Sequence, residues 1–271
     1  MRLVVRVCLF VMLATGAAVA GPLDKPAFTA TPAELLAEAR ATTATGHDVA
    51  VLRDEVTYTY DARGRHEARH RMVFTVLAPS GADGWGTITL NWQPFYQDRP
   101  TIRARVINRD GSVTEFDPSL VHDAPAVKES PTVFSDQRDL SAPLPRLEVG
   151  AVVEEEFVFV DREPLLGAGT VEWIAFARAV PIARKLVTIS APTSLRAKVA
   201  LRGPKMPWKP TTRVVGDRTI VAYDLTNVAA MEDSQGATPV DWVWTPLLGI
   251  ATGASWAAIA ADYRALVEAK L

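Results

Sequence analysis

The sequence predicts an all-β fold, an antiparallel β-sandwich with a short N-terminal helix and a C-terminal helix. Two patterns carry that expectation. From Ala50 onward apolar and polar residues alternate at period 2, in runs separated by turn signals at the intervals of a sandwich. The 3.6-residue period of an amphipathic helix marks the two ends, in "TPAELLAEARATT" and "SWAAIAADYRALVEAKL".

The elements follow in order. Residues 1–20 read as a signal peptide: Arg2 and Arg6 precede an uncharged apolar run from Val7, which closes on Ala18-Val19-Ala20. Cleavage is expected between Ala20 and Gly21, with the product in the periplasm or secreted. The apolar run, of roughly 14 residues, is shorter than the roughly 20 that span a bilayer, so no membrane anchor is expected after cleavage. Residues 21–40 hold a short helix, started by a capping box of Thr31 and Glu34 with Pro32 at its first position.

The sandwich is drawn over residues 41–253. Val56, Tyr58 and Tyr60 alternate with polar neighbours, "DARG" turns the chain, and Met72, Phe74 and Val76 line the return strand. A second hairpin runs from "TIRARVI" through Asn108–Ser112 to "VTEF". Further strands read at "AVVEEEFVFV", "TVEWIAF", "ARKLVTISA", "LRAKVAL" and "TIVAYDL". Leu120 to Leu147, rich in proline, serine and aspartate, reads as a long connection. Residues 254–271 form a helix capped by Ser255, with Trp256, Ile259, Ala260, Tyr263, Leu266 and Val267 on one stripe.

Composition excludes several functions. Formal net charge is −2, and becomes −4 once the two leader arginines are removed. That mild acidity without basic clusters argues against a nucleic-acid partner. The single cysteine, Cys8, lies within the leader, inside its apolar run rather than at a lipidation position. The processed chain therefore has no thiol for catalysis, zinc or redox chemistry, and with about 250 residues it relies on a packed core instead of disulfides.

Four blocks resemble a known family in order: "YDARGRHEARHRMVFTVL", "ARVINRDGSVTEF" with its Asp110-Gly111 turn, "LPRLEVGAVVEEEF" with Pro145, Glu148 and Gly150, and "VPIARKLVTISAP" with Pro181 and Pro192. Together they resemble domain of unknown function 3857, the uncharacterised domain that precedes transglutaminase-like domains in exported bacterial proteins. The resemblance implies a non-catalytic accessory domain that docks onto, or positions substrate for, a cysteine-dependent amide-processing core. It also implies that the helix from Ser255 is the first helix of that core, which this chain does not continue. The alternative is a C-terminal helix docked on its own sandwich.

The remaining constellations are weaker. His66 and His70 fall on a strand, where residues four apart stand roughly 13 Å from each other. They cannot share a zinc ion, whose ligand nitrogens lie at roughly 2 Å, and are expected to be solvated. His122-Asp123 with Ser119 or Ser135 makes a triad on paper only, with no nucleophile elbow. Glu154, Glu155 and Glu156 alternate faces, so they do not converge as a catalytic carboxylate pair and read as a solvated strand segment. The aromatic group Trp85, Trp92, Phe95 and Tyr96 is the candidate binding site, chiefly Trp85, Trp92 and Tyr96. Such rings stack on sugars or anchor peptides, so a cell-envelope glycan or peptide is the rival partner to a transglutaminase-like domain. Trp173, Trp208, Trp242 and Trp244 are ambiguous between packing and binding. No catalytic residue, metal or cofactor is expected.

Overall fold

The computed structural model describes residues 21–42, 44–126, 135–167, 169–203, 206–231, 246–253 and 255–269. Residues 1–20, expected to be a leader, and Trp242 and Trp244 lie outside them. The capping box forms at the start of helix α1 (Pro32–Ala41): Thr31 Oγ1 accepts from Glu34 N at 3.3 Å, and Glu34 Oε2 accepts from Thr31 N at 2.8 Å.

Both hairpins form where their turn chemistry requires. Strands β1 (Val49–Tyr60) and β2 (His66–Val76) pair from Tyr60↔His66 inward, with a bulge between Val51 and Arg53. Asp61 holds the turn by accepting from the backbone N–H of Arg63 and Arg65. Helix α2 (Pro79–Trp85) and strand β3 (Thr87–Trp92) follow. In the second hairpin, β4 (Thr101–Ile107) and β5 (Val113–Glu115) meet across a turn that needs φ +88° at Gly111.

Strands β6 (His122–Pro125) and β7 (Arg138–Pro143) lie inside the stretch expected to be a plain connection. They are short and end in proline, so their alternation is brief; Leu140 and Ala142 are what β7 buries. The chain continues through β8 (Val152–Val160), β9 (Val171–Ala175), β10 (Ile182–Pro192), β11 (Lys198–Arg202), β12 (Thr211–Val215), β13 (Arg218–Val228), β14 (Leu247–Ala251) and helix α3 (Trp256–Glu268).

These strands form an eight-stranded sheet, ordered β12-β13-β10-β1-β2-β8-β4-β5, and two three-stranded sheets, β11-β14-β9 and β3-β7-β6. The fold is thus mostly β with a helix near each end, but its large sheet is mixed, because β1 and β10 run parallel with Val56 opposite Val187. Alternation cannot foretell this, since it is the same for parallel and antiparallel partners.

Alternation gives the large sheet two faces. On one, Phe74, Val106, Val153, Val187 and Ile189 join Ile88 and Ala142 of one small sheet and Ile174, Leu248 and Ile250 of the other in a single hydrophobic cluster. On the other, Leu52, Val73, Ile107 and Val152 pack beneath Leu35, Leu36 and Ala39 of α1. Burying each of those leucines stabilises by roughly 1.5–3 kcal/mol.

Candidate functional site

Strand β3 is at the edge of its sheet: it pairs with β7 on one side and, among the described residues, with no strand on the other. Two cavities open along it. One, of about 320 Å3, is touched by Thr87, Ile88, Thr89 and Leu90; the next, of about 260 Å3, by Asn91 and Trp92. Successive strand residues point to opposite faces, so a cavity touched by four in a row meets the strand at its edge. Strands β2 and β8 supply the facing wall, with His70, Phe74 and Phe157 at the first cavity and His66, Ala68 and Phe159 at the second. The two cavities follow each other along the same three strands as one groove.

The candidate aromatic residues lie in this groove at separate stations. Trp85, at the end of α2, lines the first cavity and packs on Phe74 with ring centroids 4.9 Å apart. Trp92 and Tyr96 line the second. All three are half-buried, while Phe95 is 54% exposed and lines neither cavity. The Trp92 Nε1–H is buried and donates to none of the described residues. Burial, with the charges of Glu172 and Asp161, pushes the Tyr96 hydroxyl up to about 12.

Two histidine–carboxylate pairs stand on the groove side of β2. His66 Nδ1 is 2.6 Å from Asp161 Oδ2, and the rings of Tyr58 and Tyr60 lie 5.2 and 5.3 Å from the imidazole. Burial pushes both tyrosine hydroxyls above their usual range, and pushes the Glu172 carboxyl of the same cavity upward. His70 Nε2 is 2.9 Å from Asp54 Oδ1. The other oxygen of Asp54 accepts from Arg178 Nε at 2.8 Å and Lys185 Nζ at 2.9 Å. Burial alone would raise Asp54, but the His70 hydrogen bond and the charges of Lys185 and Arg178 outweigh it and hold the carboxyl below its usual range. Burial also lowers the Lys185 ammonium, against the pull of Asp54. Glu155 faces the same side; burial pushes it up to about 8, with Arg178 opposing and Asp54 adding.

The opposite face is held by ion pairs. Glu154 accepts from Nε and Nη2 of Arg71 through one oxygen and from Nε and Nη2 of Arg105 through the other, at 2.6–3.0 Å. These guanidinium groups also donate to the carbonyls of Leu23, Lys25 and Ala30, and Glu154 accepts from Phe28 N, so the triad straps the N-terminal segment to the sheet.

Two expectations need correction. His66 and His70 share β2 as anticipated, but they are paired with carboxylates rather than solvated, because β2 is interior to the sheet and its groove side is covered by the β3 sheet and by β9. Glu154, Glu155 and Glu156 are buried, not solvated, because β8 lies between β2 and β4 with both faces covered. They do alternate: Glu154 and Glu156 face arginines, and Glu155 faces the groove. Asp123 is engaged by Arg99 and Arg138 rather than by His122, and Ser135 Oγ accepts from Gln137 N. Trp173 is 49% exposed and lies across Gly249, whereas Trp208 packs on Phe176.

Sequence reasoning passed over Asp54, Arg178 and Lys185. The available signal was charge inside strand alternation, "RDE" at Arg53–Glu55 and "RKL" at Arg184–Leu186. Among the described residues no cluster of histidine and carboxylate side chains could hold a metal ion, and no helix is long and apolar enough to cross a membrane.

Known proteins share the fold and the family of this chain. A Parabacteroides distasonis protein described as a "putative protease" superposes with a TM-score of 0.68 at 17% identity, over 78% of this chain and 41% of its own. That likeness concerns the fold, and this chain spans about two-fifths of that protein's length. The M1 zinc metallopeptidase of Deinococcus radiodurans aligns at a TM-score of 0.37 and 13% identity, over 76% of this chain and 43% of its own. No curated protein matches in sequence. The family model described as "Domain of Unknown Function with solved-structure structure (DUF3857)" matches residues 62–232.

Proposed function

The chain belongs to the DUF3857 family, and from that premise we propose that it is a periplasmic, non-catalytic accessory domain that holds an extended envelope peptide for a transglutaminase-like core. The observation that carries this reading is the edge of β3, which no strand among the described residues pairs, running along a groove with Trp85 at one station and Trp92 and Tyr96 at the next. An extended peptide adds to such an edge through its own backbone groups, and rings spaced along the edge take its side chains. In this view the three sheets work as a β-sandwich opened on one side, the groove being the opening.

Three further features support it. Cys8 is the only cysteine and lies in the leader, so thiolate chemistry on an amide comes from outside the processed chain. The leader has the form of a cleaved signal peptide, which would carry the domain to the envelope. The apolar stripe of α3 is largely uncovered, with Trp256 76% and Tyr263 61% exposed, as suits a helix that packs against a catalytic core.

The test is sedimentation of the processed chain with intact peptidoglycan sacculi and with sacculi whose peptides have been stripped by an amidase. Retention on intact sacculi only, lost in Trp92→Ala, is the expected outcome. Equal retention on stripped glycan would replace the peptide by a sugar ligand, and retention on neither would contradict the reading.

A further inference from the structure

At the Trp85 end of the groove the polar groups are arranged around something they do not themselves supply. Arg178 lines the cavity and sends Nε to Asp54, but its Nη1 and Nη2 donate to none of the described residues. Asp54 takes only the Nε of that guanidinium, its oxygens also serving His70 and Lys185. Glu155 lines the same cavity, is 5% exposed, and receives a hydrogen bond from no described residue. Burial favours its protonated form, which makes it a donor at neutral pH. A guanidinium fork and a carboxylic acid lining one cavity are complementary to a carboxylate, which takes two donors on each oxygen.

The rest of the cavity states what carries that carboxylate. Phe74, Trp85 and Phe157 add aromatic walls beside these polar groups, and about 320 Å3 is at the lower end of the roughly 300–1,000 Å3 of ligand sites. Thr87, the first residue of β3, is at the same cavity, so a strand added along β3 ends here. We infer that the groove reads the free C-terminus of its peptide, receiving the terminal carboxylate between Arg178 and Glu155 beside Trp85. This rests on the peptide reading of the groove and adds polarity and an end to it.

Calorimetric titration of the processed chain with acetyl-Ala-Ala-Ala as the free acid and as the C-terminal amide tests it. At pH 7 the acid is expected to bind at least 10-fold more tightly. Arg178→Ala should abolish that preference. Because this variant also strips a partner from buried Asp54, Arg178→Lys serves beside it, keeping a cation but losing the fork, and should reduce the preference as well. The groups facing Glu155 are Asp54, His70 and Arg178, with Lys185 behind Asp54. Raising the pH to 9 should therefore weaken acid binding in the native protein, while Glu155→Gln, which keeps a donor, retains it. Equal affinity for acid and amide, or a preference that survives both Arg178 variants, would overturn the carboxylate receptor and leave the peptide groove standing. Binding of neither peptide would overturn both.

Discussion

Glu154 and Glu155 are neighbours on β8 with opposite surroundings. Glu154 receives two guanidinium groups and a backbone N–H, whereas Glu155 shares a cavity with Arg178 and receives a hydrogen bond from no described residue. The arginines were legible: Arg69 and Arg71, Arg103 and Arg105, and Glu154 and Glu156 share one i,i+2 spacing, which puts all six on one face of adjacent strands. What the sequence did not carry was the covering of both faces, because that depends on which segments fold over the sheet. Glu155 gives a prediction with a definite sign. Its folded value, about 8, is above the ordinary 4.5, so its stabilising contribution is complete below pH 4.5 and is lost as pH rises through 8. The loss is on the order of 1.4 kcal/mol per unit of that interval, a few kcal/mol in all. Glu155→Gln removes it, whereas the neighbours Asp54, His70, Arg178 and Lys185 are common to both proteins. Urea unfolding should find the two alike within about 1 kcal/mol at pH 5 and the variant the more stable at pH 9. Parallel pH profiles would show that Glu155 ionises freely in the folded protein.

Among the elements, the two hairpins and α1 were legible because their information is local: an aspartate that caps its own turn, a glycine at positive φ, a threonine and glutamate three residues apart. Strands β6 and β7 escaped because two or three alternations ending in proline resemble any polar loop, and β7 is defined by its partner β3 rather than by itself. The parallel pairing of β1 with β10 escaped because partner choice is a long-range property. Helix α3 is the element whose fate is most testable. A helix of about 13 residues is marginal alone in water, and among its described residues none is buried. Removing the chain from Ser255 onward should lower stability by no more than about 1 kcal/mol, read from the urea midpoint. A drop of several kcal/mol would mean that α3 completes this domain's own core, since each large buried side chain lost costs roughly 2–5 kcal/mol.

For the whole molecule, the division of labour is between two faces of one sheet. The α1 face is covered by leucines at one end and spanned by the Arg71–Glu154–Arg105 strap at the other, where a cavity of about 450 Å3 opens between Lys25, Pro26 and the side chains of Arg53, Arg69 and Arg103. The opposite face is closed by the small sheets except along β3, where the groove remains. The aromatic residues of that groove could be picked from the sequence, but their separation into two stations and their alignment with the edge strand β3 could not, because both follow from how β3 sits over β2 and β8. The most direct test is backbone amide exchange across Thr87–Trp92 with and without saturating acetyl-Ala-Ala-Ala, with Thr211–Val215 of β12, an edge strand remote from the groove, as control. Peptide added to β3 should slow exchange there at least 10-fold and leave β12 unchanged; exchange in β3 that stays the same with the peptide bound would contradict strand addition.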